Sequence, residues 1–554
     1  MFRRLQINNK NHNVTSQNAT VEKTNSDSLK SRWKKCYYDY CESTSIHGIQ
    51  YLGEKERPML EKLFWMLIFL VFMYCCSILI SNVYNKWNET PVIVSFSEKS
   101  TPVWQIPFPA VTICSETKEE KQHEFDFTKF YNYLLNHWEN DGKITLDNDF
   151  KNISNFNYLR GLLQICGNYL TNEMIFPKLP DLNYFELLNK MAIPINNSYP
   201  FCQWRNKIGS CSKLLVKTYT DEGICFTFNG LSVDELYRPN TYQYKYYKKY
   251  LKTEKKNSLK WSLQNGYDSG SDMKSYPYRV LGAGSRPGFF IALQGLEKNM
   301  DYICRGAVQG FKIHLHSPDD VPRVSHQYIR IPFGKEVLIS VKPSMITTSD
   351  GILNYTPEGR QCYFNNERYL KYFNIYTQGN CELECLSNYT LKQCGCVKFS
   401  MPRTSNMKVC NESKISCYDK AEDELLKEEF AQGLTDSTLN HRGKTKCHCL
   451  PACTSLAYNT EISQADFDLL NFAQSSKGLL EYYSKFDGLK MSRLIIFFKE
   501  NQFITSKRSE LYGLTDFLAN CGGLLGLFSG FSFMSMVELI YHCTIRLWHN
   551  KRRV

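Results

Sequence analysis

Between Phe517 and Val537 this chain carries no charged residue, and inside that membrane-length run it places Gly522, Gly523, Gly526 and Gly530. A glycine in a helix interior costs about 1 kcal/mol relative to alanine. A segment needed only as an anchor has no reason to carry four. Gly522, Gly526 and Gly530 recur every fourth residue, so on a continuous helix they would form one small-residue face. Such a face lets transmembrane helices approach closely, or leaves backbone free to line an aqueous path.

A second uncharged run, Leu63 to Val83, is bulky and contains no glycine. Both runs reach the ~20 residues that cross a hydrocarbon core of ~30 Å. A buried core helix is the other reading of each, and their length and flanks favour crossing. The contrast in bulk predicts that the first helix faces lipid and the second packs at a shared axis. Lys55 and Arg57 precede the first run, and Arg546, Lys551, Arg552 and Arg553 follow the second, which puts both termini in the cytoplasm. Met1–Gln6 has no apolar core, so no cleaved signal peptide is expected and the first span reads as a signal anchor. The chain then divides into a cytoplasmic tail 1–58, a first transmembrane helix 59–86, an extracellular domain 87–509, a second transmembrane helix 510–547 and a cytoplasmic tail 548–554.

Cysteine usage agrees with that topology. Of 22 cysteines, six lie in the tail or the spans (Cys36, Cys41, Cys75, Cys76, Cys521 and Cys543), leaving sixteen in the loop. Dense, even cysteine in a segment with independent reasons to be outside reads as disulfides, although spacing does not fix their connectivity. Asn-x-Ser/Thr glycosylation acceptors stand at Asn88, Asn152, Asn196, Asn354, Asn388 and Asn411. Asn13 and Asn18 fit the pattern too, but fall in the cytoplasmic tail.

The net charge of +12 comes from basic residues scattered over the chain without a nucleic-acid motif, so it reads as a solvated surface with no nucleic-acid partner. Cys394-x-Cys396 and Cys447-His448-Cys449 are spaced more tightly than structural zinc ligands, and their compartment is oxidising; no metal is expected. There is no nucleophile elbow, phosphate loop or metalloprotease signature, so the chain reads as a non-enzyme without a cofactor.

Along the chain, residues 1 to about 30 are polar and expected to be disordered. Trp33 to Pro58 is more apolar and contains His47-Gly48. Pro107 to Cys114 reads as an extended entry into a strand. Helical spacing runs near Phe125 to Trp138, and Gly223 to Asn229 reads as a strand. Residues 230–285 are rich in Tyr, Lys and Ser and read as a variable, exposed region. Between 286 and 345 apolar and polar residues alternate in places, as in Phe311–Leu315, which predicts sheet. From Cys362 to Cys453 there are ten cysteines, with helical patterning at Glu382–Leu386 and Asp423–Phe430. That stretch is too thin in aliphatics for a large core, and disulfides of ~2–4 kcal/mol each would compensate. Leu494–Phe498 is a strand-like run that reads as leading straight toward the second span.

These residues together resemble the degenerin/epithelial sodium channel superfamily, and Cys381-Glu382-Leu383-Glu384-Cys385, Cys394-Gly395-Cys396 and Met401-Pro402-Arg403 look most like its pickpocket branch. The other matching pieces are His47-Gly48, Phe108–Cys114, and Gly522-Gly523 followed by Leu525–Ser532. The resemblance implies an α+β membrane protein with two transmembrane helices and a large disulfide-rich extracellular domain. That domain would have a β-sheet palm and a helical thumb at about 362–453. It implies a plasma-membrane, multi-pass subunit of a homo- or heterotrimer that conducts sodium ions, often with amiloride block, as a sensory channel opened by mechanical or chemical stimuli. The alternative from another class is a non-conducting auxiliary or receptor subunit.

Residue by residue, the resemblance implies that Gly530-Phe531-Ser532 interrupts the second helix and forms the selectivity filter. Relatives often carry a smaller residue than Phe531, which leaves the selectivity ratio open. Ala519 falls on the position where bulk tends to hold relatives open, and His47-Gly48 becomes a gating element. Asn520 replaces an Asp common at the next position, so an ion-attracting charge is absent there. Asp516 and Glu538 would be ~33 Å apart on a straight helix, near the two interfaces. They read either as interfacial carboxylates or as cation-attracting groups at the pore mouths. Gly522, Gly523 and Gly526 pack the pore helices. The implied disulfides are Cys362–Cys453, Cys381–Cys449, Cys385–Cys447, Cys394–Cys417, Cys396–Cys410, Cys114–Cys225 and Cys202–Cys211, with Cys166 and Cys304 left over. The acidic stretch Asp423–Glu429 could sense protons, with a solvated helix face as the plainer reading.

Overall fold

The computed structural model describes residues 34, 36–89, 92–118, 127–141, 156–166, 181–250, 261–435, 447–511, 513–546 and 548. The polar segment 1–30, the acceptors Asn13, Asn18 and Asn152, and the tail 549–554 lie outside the described residues. The chain forms two compact units. One comprises Met1–Ile93, Gly351–Arg360 and Ser509–Val554; the other comprises Val94–Asp350 and Gln361–Arg508.

The first unit is helical. Met59–Glu89 is one continuous helix, long and apolar enough to cross a membrane. Its side chains are largely exposed, including Leu60, Leu67 and Leu70. The second apolar stretch forms two helices, Leu514–Ser529 and Phe533–Tyr541, the second continued by a π-helical turn to Arg546. The two arms are bent by 68°. Two of the sequence readings assume a continuous helix, and the bend corrects them. Gly530 leaves the small-residue face, because the helix ends at Ser529. The ~33 Å rise between Asp516 and Glu538 does not apply, because that figure needs an unbroken helix.

The second unit is built on a mixed eight-stranded sheet in the order β1 (Val92–Pro102), β15 (Gln502–Glu510), β12 (Lys335–Thr348), β14 (Leu489–Phe498), β9 (Phe289–Leu296), β3 (Phe201–Trp204) and β4 (Lys207–Gly209). β13 (Ser455–Asp466) pairs with β12 off that path. β12 runs parallel to β14 and β15 and antiparallel to β13. Its sequence shows why. Val337, Ile339 and Val341 recur at the strand period of two and are buried, while the residues between them face outward. A second sheet follows the order β11 (Ile329–Pro332), β10 (Gly310–His316), β2 (Ala110–Ser115), β6 (Gly223–Phe228) and β5 (Leu215–Thr220). A short hairpin joins β7 (Trp261–Ser262) to β8 (Gly266–Tyr267). The core of this unit is aromatic at its centre. Phe228 stacks on Phe289 at 4.2 Å, and Phe108 meets Trp204, Phe228 and Phe498 edge-on.

Three expectations differ from the structure here. Residues 230–285 do not form an exposed region throughout: Trp261, Leu263 and Val280 enter the main core, and Tyr246 and Tyr247 pack with Phe185 and Tyr219. Their aromatic rings bury apolar area that a count of Tyr and Lys conceals. In β10 the alternation does not separate inside from outside, because Lys312 is buried like Phe311 and Ile313, its ammonium 2.7 Å from Glu222. Leu494–Phe498 is not the last strand before the second apolar stretch; β15 intervenes.

Eight disulfides lie in the second unit: Cys114–Cys225, Cys166–Cys304, Cys202–Cys211, Cys362–Cys453, Cys381–Cys449, Cys385–Cys447, Cys394–Cys417 and Cys396–Cys410. Five of them fasten the helices Gln378–Cys394 and Ile415–Thr435 and their loops. Buried polar groups add to the fastening. Arg160 meets Glu412 through two nitrogens at 3.1 and 3.2 Å, and the Tyr184 hydroxyl donates to the same carboxylate at 2.6 Å.

The helix Gln378–Cys394 begins beside two adjacent carboxyls. Thr377 caps it by accepting from the Asn380 N–H at 3.1 Å. The Asn380 side chain accepts from the Val321 N–H at 3.2 Å and donates to the Asp319 carbonyl at 3.3 Å. Burial, and then the charge of Asp319, push the Asp320 carboxyl up to about 7; Glu382 adds to the rise, while the Thr377 hydroxyl and Arg323 oppose it. The folded chain therefore holds this proton more tightly than the unfolded chain does. The stabilisation is full at low pH and is lost as pH rises through about 7. Thermal unfolding of the full chain in detergent should show a midpoint that falls from about pH 4 to about pH 7, and Asp320→Asn should flatten that fall. An equal slope in the variant would remove Asp320 as its source.

Candidate functional site

The break between the two apolar helices is a capped junction. Leu514–Ser529 ends on Gly530, which adopts φ 68° and ψ 15°, the left-handed conformation that glycine enters without a Cβ penalty. The Gly530 N–H donates to the Gly526 carbonyl at 2.9 Å, and the Phe531 N–H reaches back to the Leu525 carbonyl at 3.3 Å. These two bonds close the helix end. Ser532 then caps the second arm: its hydroxyl accepts from the Ser535 N–H at 3.3 Å, and its own N–H donates to the Ser535 hydroxyl at 3.1 Å. Three residues thus terminate one helix and start another with most of the local backbone groups paired. The Ser529 hydroxyl donates to the Leu525 carbonyl at 2.7 Å, a local bond that helices tolerate where they bend.

The same unit brings the His47-Gly48 turn to this junction. The His47 N–H donates to the Ser529 carbonyl at 2.9 Å, satisfying an acceptor that the helix end leaves open. A Cβ built on Gly530 would stand 3.0 Å from the His47 ring and 3.0 Å from the Ser45 carbonyl, so glycine is favoured there by its positive φ and by the close approach of the turn. Gly48 adopts φ 85° at the start of the short helix Ile49–Gly53. Around it, the Ser45 hydroxyl lies 2.7 Å from that of Ser535, and the Ser45 N–H reaches Glu538 at 3.4 Å. One turn further, Ser43 meets His542 at 3.1 Å, and Cys36 lies 3.4 Å from the His542 carbonyl. Glu538 thus sits among tail residues. Ser43, Ser45, Ser535 and His542 escape the sequence reading. The available signal was the three-residue step from Ser532 to Ser535, which is the spacing of a helix cap.

The remaining candidates on the longer arm are open. Asp516, Ala519, Asn520, Gly522 and Gly523 are exposed, and a Cβ on Gly522 or Gly523 would meet nothing within 4 Å. Asp516 accepts from the Gly513 N–H at 3.1 Å, capping the start of the helix. The opposite side of that arm packs on Met59–Glu89 through rings: Trp87 stacks on Phe517 at 5.1 Å, and Phe72 meets Phe528 at 6.2 Å. One face is therefore occupied within the chain, and the face of Gly522 and Gly523 is open among the described residues. Of the glycosylation candidates, Asn88, Asn196, Asn354 and Asn388 are exposed and Asn411 is half-buried. Cys36, Cys41, Cys75, Cys76, Cys521 and Cys543 are free thiols.

Residues 40–542 match the family model of the amiloride-sensitive sodium channel, and the chain belongs to that family. It is similar to pickpocket protein 28 of Drosophila melanogaster, 28% identical over 525 residues that cover 93% of this chain and 79% of the relative. It is 25% identical to the sodium channel protein Nach of Drosophila melanogaster, over 93% of this chain and 88% of the relative. Acid-sensing ion channel 1C of Danio rerio is 22% identical, over 93% of this chain and 84% of the relative. This is a family of membrane channels, not of enzymes, whose members transport sodium and assemble as oligomers.

The contact between turn and break gives a direct test. Cysteines placed at Ser45 and Ser535 should cross-link within one chain under mild oxidant, read by mass spectrometry. Adding Gly530→Ala should sharply lower that yield, because left-handed alanine costs about 1–2 kcal/mol and its methyl displaces the turn. Undiminished cross-linking would show that the turn does not depend on Gly530.

Proposed function

We propose that this chain is a pore-forming subunit of a trimeric, sodium-selective, amiloride-sensitive channel of the plasma membrane, opened by an extracellular mechanical or chemical stimulus. Both termini are cytoplasmic, 59–86 and 510–547 cross the bilayer, and 87–509 lies outside. The observation that carries the reading is the capped break at Gly530-Phe531-Ser532 in an otherwise uncharged, membrane-length segment. Backbone interrupted at membrane depth is tolerated where it lines water or binds an ion. The uncovered glycine face supports close approach of like arms from neighbouring subunits.

In this reading Gly530, Phe531 and Ser532 form the constriction, and backbone carbonyls replace part of the ion's water shell. Phe531 can occupy a filter that uses main-chain atoms because its ring need not enter the path. Ala519 and the His47-Gly48 turn set the open–closed balance, and Asp516 with Asn520 lies at the outer mouth. Glu538 lies toward the inner mouth in this reading, and its 3.4 Å contact with the N–H of Ser45, a residue of the cytoplasmic tail, supports that. The disulfide-rich unit receives the stimulus, and its acceptor asparagines carry glycans.

Expressed alone, the chain should give an amiloride-blocked sodium current. Ala519→Phe should raise open probability, and Ser532→Ala should shift the reversal potential measured with sodium against potassium. Current only in the presence of a related subunit, with reversal potentials indifferent to Ser532, would make the chain an auxiliary subunit.

A further inference from the structure

We propose that the disulfide-rich unit binds an uncharged, ring-containing apolar molecule in the gap between its main sheet and a helical hairpin. The hairpin consists of the helices Leu469–Gln474 and Lys477–Ser484, which connect β13 to β14. It covers part of β3, β9 and β14 without filling the space beneath it. The cavity left there measures about 410 Å³, within the span of small-molecule pockets. Ala292 of β9 and Leu489 of β14 line its floor and are buried, and Ala473 of the first helix lines its roof and is 2% exposed. Phe472 and Leu479 line it too and are partly open to solvent, so the mouth lies on their side.

The space is walled on two sides and is not an open apolar face. Sheet residues form one wall and helix residues the other. The Tyr482 hydroxyl donates to the Gln294 side chain of β9 at 3.0 Å, which ties the second helix to the sheet. The first helix is fixed at its start, where the Asp468 carboxylate accepts from the Asn471 N–H at 3.0 Å. Both ties hold the roof at a distance from the floor. Protein interiors are otherwise close-packed, and side chains that border a void lose the dispersion contacts they would make with a neighbour. Water is a poor replacement, because an ordered water needs several polar partners and these walls are mainly carbon.

The walls also set the chemistry of the occupant. Arg493 is the charged residue on them, and it is already engaged: Glu336 lies 3.3 Å from it, and the rings of Phe290 and Phe467 lie 5.4 and 5.6 Å from its guanidinium. A ligand carboxylate would shed its water and find that counter-charge taken. No carboxylate lines the cavity among the described residues, so a cation finds no counter-charge either. Rings dominate the surface. Phe201 meets Phe290 edge-on at 5.6 Å, and Phe467 meets Phe472 at 5.6 Å. Such walls favour a ring over a linear chain, through offset and edge contacts. A dry apolar cavity of about 150 Å³ accepts benzene, so this one has room for a compound of about ten carbons, a substituted benzene or a monoterpenoid. Binding there does not depend on whether the chain conducts by itself.

The test is photolabelling of the full chain in lipid nanodiscs, since detergent alkyl chains would compete for an apolar space. The probe is benzyl alcohol carrying a trifluoromethyl-diazirine at the para position, with the matching diazirine benzoate as its charged counterpart. Mass spectrometry should place saturable labelling by the alcohol on peptides that contain Phe472, Leu479 or Tyr482. Excess para-trifluoromethylbenzyl alcohol should reduce that labelling at least about fivefold, and the benzoate should label at least about fivefold less. Ala473→Trp should fill the space from the roof and abolish the saturable part. Leu479→Trp, at the partly exposed mouth, should lower it severalfold, and it decides the matter if the Ala473 variant does not fold. No saturable labelling of these peptides, as when a neighbouring copy of the chain fills the gap, would overturn the proposal. So would equal labelling by the benzoate, or undiminished labelling in the folded variants.

Discussion

Every backbone N–H and C=O at the end of a helix needs a partner, and a bilayer core supplies none. In the membrane-spanning arm proposed above, that constraint bears on Gly530. The residue must turn the chain out of the helix, so its φ is positive, and a side chain there would press on the His47 ring at 3.0 Å. The two demands coincide at one position. The carbonyl that the helix releases at Ser529 takes its hydrogen bond from His47, outside the segment altogether. A break of this kind is therefore not a property of the second apolar stretch alone. It takes a donor from the N-terminal tail, the main-chain N–H of His47.

The disulfide-rich unit solves a different problem. Its sheets are held by ordinary apolar burial: β12 and β14 supply Val337, Ile339, Val341, Leu494 and Ile496, all essentially inaccessible. The helices Gln378–Cys394 and Ile415–Thr435 pack through a smaller set of apolar residues, with Leu386, Tyr389, Tyr418 and Leu425 among them. Cross-links there act by limiting the unfolded chain and so need no further apolar area. Some charged side chains reach the interior of this unit against a partner already in place, as with Glu412 between Arg160 and Tyr184 and Glu222 against Lys312.

The sequence made the periodic parts legible. Val-Thr-Ile before Cys114 lies in β2, Gly223–Phe228 is β6, and Leu494–Phe498 lies in β14, because β-branched and aromatic runs in these places are both strand-forming and buried. Periodicity misled where polarity and burial part company. Lys312 is polar and buried, so an alternating pattern in β10 describes chemistry and not exposure. The region 230–285 looked solvated because its apolar content is carried by Tyr and by scattered Trp261 and Val280, and tyrosine hides its ring behind a hydroxyl. At the break, four glycines announced unusual backbone, while the place of the interruption was read only from the resemblance. The stop at Ser529 depends on the cap bonds of Gly530 and Phe531 and on a tail hundreds of residues away in sequence, which no local window contains.

Serine is the residue that the junction uses most. Ser529, Ser532, Ser535 and Ser45 all lie within its hydrogen-bonded set. A hydroxyl is both donor and acceptor and rotates to suit, so it can pair with a helix carbonyl, a helix N–H or another hydroxyl without carrying charge into a nonpolar medium. An Asp at 532 would cap the second arm at least as well in water, but in the membrane-spanning arrangement proposed above it would bring a charge to a depth where each costs about 2.5–3.5 kcal/mol. An Asn would cap it too, and would bring an amide with two donors to place. Serine closes the break with the smallest polar inventory to satisfy. That economy separates a helix interruption that can persist inside a bilayer from one that would pull the segment out of it.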